Sequence, residues 1–348
     1  MTTPVQIPDP VARKIAAFEA RETVRDVRFE MADPRFLDLF PEGSRATVIA
    51  SGFINTEGPV WTPDGLLFVD PARNRIVRYR RLIEGPEVTT YRYPSGQPLD
   101  EVQTVVQNGA MGLTLDPDDL LLSCETGSRR VTRISADGSM AIVADRFEGR
   151  QLNRPNDVVA ARDGTIFFTD PVYMLPTPTE PLEQPASVYR VAVDGTITRL
   201  AGDIAFPNGL ALSLDERTLY VADSDRFELR AIDLSDTGYP LRNRFFASLK
   251  TDRPGVPDGL KVDCLDNVYC GSGGGIWVFD CGGVHLGTVV FPDWPRNLAW
   301  GEADWRTLFV TAGTTVYRLR ANITGVPVGR ALSSAPAARQ AQRRAERI

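Results

Sequence analysis

Six short segments of this chain begin alike. They are Glu57-Gly-Pro-Val-Trp61, Met111-Gly-Leu-Thr-Leu115, Asn156-Asp-Val-Val-Ala160, Asn208-Gly-Leu-Ala-Leu212, Asp258-Gly-Leu-Lys-Val262 and Arg296-Asn-Leu-Ala-Trp300. Each opens on a polar or sulfur-bearing residue, passes through a small or polar one and runs on as an apolar strand. The starts lie about 38 to 54 residues apart, a period that signals a propeller or a solenoid. Six such strands around one axis would point their first residues at each other. Glu57, Asn156, Asn208 and Asp258 would then share one small space.

A turn and a second apolar strand follow each segment, as in Leu66-Leu-Phe-Val-Asp70 and Thr218-Leu-Tyr-Val-Ala-Asp223. The turns carry hairpin signals such as Pro63-Asp-Gly65 and Asp163-Gly164. Third strands, such as Ile76-Val-Arg-Tyr-Arg80 and Val316-Tyr-Arg-Leu319, alternate apolar with polar residues as half-exposed strands do. Fourth strands show in places, among them Thr196-Ile-Thr-Arg-Leu200. The pattern predicts an all-β, six-bladed β-propeller with four-stranded antiparallel blades, a single domain over 43–328. The last repeat lacks its own fourth strand. Arg45-Ala-Thr-Val-Ile-Ala-Ser51 is placed to supply it, closing the ring with an N-terminal strand and removing an open edge. Residues 1–42 read as an extension with a short helix capped by Asp9 and begun by Pro10. Residues 329–348, rich in Ala, Arg and Gln, read as a frayed helix or a solvated tail.

Composition narrows the function. A net charge of −6 argues against a nucleic-acid partner. No apolar run approaches the roughly 18 residues a bilayer needs, so no membrane partner is expected. The first residues lack a secretory layout, and a cytoplasmic location is expected. The four cysteines have no CxxC spacing and read as free thiols. The one histidine, His285, reads as a solvated residue of a hairpin. Serine or cysteine catalysis would need a histidine beside the nucleophile, and a His-rich zinc site needs several.

Hard oxygen donors are what remain. Asp70, Glu125, Asp170 and Asp223 end the second strands on the face where the first strands begin, so they are expected to ring the same mouth. Gathered carboxylates repel unless a cation sits among them, and Glu, Asn and Asp suit Ca²⁺, Mg²⁺ or Mn²⁺ better than a soft metal.

The stretches Thr56-Glu-Gly-Pro-Val-Trp61, Asn153-Arg-Pro-Asn-Asp-Val-Val159, Phe206-Pro-Asn-Gly-Leu210, Val221-Ala-Asp-Ser224 and Pro257-Asp-Gly-Leu-Lys-Val-Asp263 resemble the gluconolactonase branch of the regucalcin/gluconolactonase family. The resemblance runs from about Glu57 to Leu319. It implies a six-bladed propeller with one divalent cation on the axis and hydrolysis of a small-molecule lactone. Carried over by motif, Glu57, Asn208 and Asp258 would be metal ligands, and Asn156 a further ligand or substrate contact. Asp258 would also be the acid/base, and Arg154 would face the substrate. Calcium is the expected ion, with Mg²⁺, Mn²⁺ and Zn²⁺ as alternatives.

Blade 2 departs from the family. Where gluconolactonases commonly read Ala-Asn-Gly-Leu, this chain reads Ala110-Met-Gly-Leu113, with Asn108 close by but out of register. Thr126 stands where relatives often carry histidine, and Arg296 takes the sixth axial slot. Met111 either fills space or lines the substrate cavity. The loop after Asp170 could form a lid, and Tyr173, Met174, Phe53 and Trp294 an apolar rim. Together these imply a lactone less hydroxylated than gluconolactone. The competing readings are an esterase or phosphotriesterase on the same site, and a binding protein without catalysis.

Overall fold

The structure, a computed structural model, describes residues 22–97, 107–135, 137–173 and 184–334. Short apolar strands separated by tight turns form six antiparallel sheets that follow one another around a ring. Blade 1 comprises Glu57–Thr62, Gly65–Asp70, Arg75–Leu82 and Gly85–Arg92, and blade 2 Ala110–Leu115, Leu121–Glu125, Arg130–Ile134 and Met140–Ala144. Blade 3 comprises Val158–Ala160, Ile166–Asp170, Ser187–Val191 and Ile197–Ala201, and blade 4 Pro207–Leu212, Thr218–Asp223, Glu228–Leu234 and Pro240–Ser248. Blade 5 has Leu260–Val262, Val268–Ser272, Gly275–Phe279 and His285–Val290; blade 6 has Pro295–Gly301, Thr307–Ala312 and Thr315–Arg320. The first strand of each blade is innermost and packs on the first strands of its neighbours.

The fourth strand of blade 6 is Arg45–Ser51, paired antiparallel with Thr315–Arg320 so that Ala50 faces Val316. The ring is therefore closed as the sequence predicts. Two further strands escaped the sequence reading because they are short and largely exposed. Thr23–Asp26 extends blade 6 along Arg45–Ser51, and Arg28–Met31 extends blade 5 along His285–Val290. Each covers an edge that would otherwise present unpaired backbone groups.

The apolar residues gather into six clusters, one between each pair of neighbouring blades. Blades 1 and 2 share Val60, Leu67, Ile76, Leu113 and Ile134, and blades 6 and 1 share Ile49, Phe68, Val77 and Phe309. Each blade thus buries both faces, which leaves the axis to polar groups. After the ring, Arg330–Ser334 forms a short helix whose Arg330 amide donates to Asp119 at 2.8 Å. The helix expected near Asp9 lies outside the described residues. No helix among the described residues is long and apolar enough to cross a membrane.

Candidate active site

The inner strands aim their first residues at the axis by breaking regular pairing. In blades 1, 2, 4 and 6 the register shifts within the first few residues, between Glu57 and Val60, Ala110 and Leu113, Pro207 and Leu210, and Pro295 and Asn297. Such bulges re-aim side chains beside functional sites. In blades 3 and 5 the strands begin two residues later than the sequence reading placed them, at Val158 and Leu260. Asn156 and Asp258 sit just ahead, held by amide bonds to Thr169 O at 2.9 Å and Gly271 O at 2.8 Å. The small second residue of the repeat has a steric cause. A side chain on Gly209 would collide with the Asp258 carbonyl of the next blade, and one on Gly112 with Asp157.

The two axial amides are oriented by their neighbours. Ser224 donates its hydroxyl to Pro257 O at 2.6 Å, so it can only accept from the Asn208 amide nitrogen, 3.1 Å away. The Asn208 carbonyl oxygen is thereby turned away from Ser224. The Asn156 nitrogen lies 3.4 Å from the Tyr173 hydroxyl, which again leaves its oxygen for another partner. Thr126 repeats the Ser224 device in blade 2, donating to Pro155 O at 2.6 Å just ahead of Asn156. That is the work of the threonine whose presence the sequence left unexplained. Its signal was legible: a hydroxyl directly after the acid that ends the second strand, Glu125-Thr126 and Asp223-Ser224.

Glu57 and Asp258 are both buried, at 3% and 6% exposure. Burial pushes the Asp258 carboxyl well above the usual range, and the charge of Glu57 pushes it further. Burial also raises Glu57, against the attraction of Arg296 and with Asp157 adding to the rise. Two buried carboxyls, one raised further by the charge of the other, form an environment that a cation would relieve. Among the described residues no three His, Cys, Asp or Glu side chains gather as a metal cluster. The axial donor set is two carboxylates plus amide oxygens, all hard ligands, and it fits a divalent cation such as calcium.

Below this layer lies a second polar group that the sequence reading missed. The Asp157 carboxylate accepts from Val158 N at 2.9 Å and from the Asn297 amide, and the Lys261 charge attracts it. Lys261 Nζ donates to Leu260 O at 2.8 Å. Burial disfavours both charges, raising Asp157 and lowering Lys261.

The four acids expected to ring the mouth do other work. Asp70 is ion-paired with Arg75 at 2.9 Å and Arg73 at 3.1 Å. Glu125 pairs with Arg130 at 2.7 Å and Arg92 at 3.0 Å. Asp223 accepts from Ala205 N and Phe206 N. Asp170 accepts from Asn153 N at 2.8 Å and Arg154 N at 2.7 Å, and burial pushes it up to about 7. These carboxylates lock their own blades; the reading that pooled them with the axial set is corrected.

The substrate-side residues divide. Arg154 is 1% exposed; its guanidinium lies 5.4 Å from the Tyr173 ring centre and donates to Gln107 O at 2.6 Å. Tyr173 is raised to about 12, mainly by burial, and it feels the charges of Arg154, Glu57 and Asp258. Arg154, Tyr173 and Asn156 therefore adjoin the axial carboxylates. Met111 is buried on the inner strand of blade 2, and Asn108 is buried against Gly127. Met174 lies outside the described residues. Phe53 is no part of a rim: it is 4% exposed and packs edge-on against Phe68 in the cluster between blades 6 and 1. His285 begins the fourth strand of blade 5 half-buried, its ring stacked on Trp277 at 4.7 Å. None of the four cysteines is in a disulfide, and Cys124 and Cys270 are buried.

Residues 55–314 match the SMP-30/Gluconolactonase/LRE-like region. The chain belongs to the SMP-30/gluconolactonase family. It is 30% identical over 309 residues to a gluconolactonase of Zymomonas mobilis, spanning 84% of this chain and 85% of that one. It is 30% identical over 266 residues to a pentonolactonase of Haloferax volcanii, spanning 73% and 80%. A solved gluconolactonase from Xanthomonas campestris superposes with a TM-score of 0.75 at 30% identity, covering 86% of this chain and 97% of that one. The region shared with the SMP-30/gluconolactonase family takes in all six axial positions from Glu57 to Arg296.

Proposed function

We propose that this chain is a metal-dependent lactonase: water opens a lactone ring beside a single divalent cation held by Glu57, Asn208 and Asp258, with Asn156 as a fourth ligand or a substrate contact. The observation that carries the reading is the pair of buried carboxyls on the axis, both raised by burial and Asp258 further by the charge of Glu57, beside an amide whose oxygen Ser224 turns away from itself. The relatives named gluconolactonase and pentonolactonase support lactones as the substrate class. Calcium suits the donors best, with Mg²⁺, Mn²⁺ or Zn²⁺ as alternatives.

When bound, the cation would polarise the lactone carbonyl and offset the charge that develops on its oxygen. The rest falls to this chain's side chains. Asp258, beside the attacking water, takes its proton and returns it to the ring oxygen as the acyl–oxygen bond breaks. Arg154, stacked on Tyr173, orients a substrate oxygen. Met111 offers blade 2 an apolar contact where an amide would have bonded a sugar hydroxyl. The lactone therefore presents fewer hydroxyls on that side than gluconolactone does.

A proton-release assay over a lactone panel, with and without chelator, tests this for wild type and Asp258→Asn. Turnover that disappears with chelator, returns with divalent salt and is absent from the variant is expected. Turnover indifferent to chelator, or cation binding with no lactone turned over, would refute the reading.

A further inference from the structure

We propose that Arg296 is an anion anchor, and that the preferred lactone carries a carboxylate of its own. The proposal rests on the lactonase reading and narrows its substrate class.

Arg296 is the one cation among the six axial positions, the others being Glu57, Met111, Asn156, Asn208 and Asp258. Its side chain is 23% exposed, so it is mostly withdrawn from bulk water. The guanidinium lies over the Trp294 ring, 4.5 Å from its centre. Stacking of this kind uses the face of the group and leaves its edge for hydrogen bonds. That edge is poorly filled. The approach to Glu57 is 3.7 Å from Nη1 to Oε1, long for a charge-assisted bond, and Nε is buried with no hydrogen-bond partner. By contrast Arg130 meets Glu125 at 2.7 Å and Arg75 meets Asp70 at 2.9 Å. A held guanidinium with unfilled donors is a built receptor for a planar anion.

Charge points the same way. The charges of Glu57 and Asp258 match those of one divalent cation. With that match made, Glu57 no longer serves Arg296. Among the described residues no other axial neighbour replaces it: Met111, Asn156 and Asn208 are neutral. Tyr173 keeps its proton, and Asp157 below is matched by Lys261. The strand-end acids are committed to their own blades. The guanidinium of Arg154 adds a second positive group on Tyr173. Counted over the described residues, the loaded site is therefore net positive beside Arg296, and a carboxylate on the lactone's carbon chain neutralises it. A neutral aldonolactone offers Arg296 hydroxyls alone. Hydrolysis of the acidic lactone adds water across the acyl–oxygen bond. It yields a dicarboxylate with a hydroxyl at the former ring oxygen and releases one proton.

The test compares the γ-lactones of glucaric and gluconic acid, which differ in a carboxylate against a hydroxymethyl group. The readout is the ratio of their kcat/KM values for wild type, Arg296→Gln and Arg296→Lys. Wild type is expected to favour the carboxylate-bearing lactone roughly ten- to a hundredfold. The ratio should fall toward one in Arg296→Gln, mainly through KM, and take an intermediate value in Arg296→Lys, which keeps the charge and loses the planar fork. Calorimetric binding of glucarate, the open-chain dicarboxylate, gives a readout independent of turnover. It should bind wild type and be lost in Arg296→Gln. A wild-type ratio near one, a ratio unchanged in Arg296→Gln, or glucarate binding indifferent to Arg296 would overturn the proposal. If neither lactone is turned over, the lactone panel decides the lactonase reading, and the glucarate titration alone decides the anchor.

Discussion

Ser224 donates its hydroxyl to the Pro257 carbonyl at 2.6 Å, and that bond settles which end of Asn208 faces the axis. With its proton committed to blade 5, Ser224 offers Asn208 only lone pairs. The amide nitrogen turns to it, and the oxygen is left for a cation. The same bond ties blade 4 to the residue before Asp258, so two proposed ligands are set by one hydroxyl.

Ser224→Ala should therefore weaken divalent-cation binding about tenfold, the usual scale for loss of an outer partner of a ligand. Ser224→Thr should retain most of it. Calcium titration calorimetry on the folded variants gives the comparison; unchanged affinity in Ser224→Ala would show that the amide needs no such guide.

The fold was largely readable because its signals repeat. Hairpin turns, alternating third strands and six equivalent starts each point to one blade, and Arg45–Ser51 stood out as the strand that blade 6 lacked. The axial residues were readable for the same reason. What failed was inference about individual partners. Asp70 and Glu125 share the strand-end position with Asp170 and Asp223, yet Arg75 and Arg130 bind the first two, backbone amides bind Asp170, and both amides and Arg226 bind Asp223. Nothing in the spacing shows that these acids are already satisfied. Phe53 was expected at the rim, yet it lies in the core between blades 6 and 1. Lys261 was hidden inside a recognised motif, and its partner Asp157 comes from two blades away.

Proton affinity at the axis predicts how stability responds to pH. Burial raises Glu57 from 4.5 to about 7, and burial followed by the Glu57 charge raises Asp258. A carboxyl raised on folding supports the fold at low pH and loses that support as the pH climbs through its folded value. Cation-free protein should lose stability from the Glu57 group between pH 4.5 and about 7. Calcium should then raise the melting temperature more at about pH 8 than at about pH 5. Thermal melts with chelator and with excess calcium at both values check this. Equal calcium shifts would mean that the two carboxyls do not titrate on cation binding.

Asp157 and Lys261 are each unfavourably buried, so their pairing offsets a cost more than it adds stability. Lys261→Met should leave Asp157 unmatched and destabilise the protein by about 3 kcal/mol in urea denaturation. Adding Asp157→Asn should recover most of the loss, since the amide oxygen can still accept from Val158 N. A double variant no more stable than Lys261→Met would show that the pair is not the cause.

On the proposed reading, Met111 takes a position where an amide would reach a sugar hydroxyl. Met111→Asn should raise kcat/KM for gluconolactone roughly fivefold to tenfold, the worth of about one hydrogen bond. Steady-state assays on the variant decide this. No gain would show that Met111 only fills space.

The central claim is that Glu57, Asn208 and Asp258 grip one divalent cation on the axis. Titration of metal-stripped protein with calcium measures it directly. One site per chain is predicted, abolished by Asp258→Asn and by Glu57→Gln while both variants remain folded. A protein that takes up no cation, or one that binds it equally well without these carboxylates, would contradict the account.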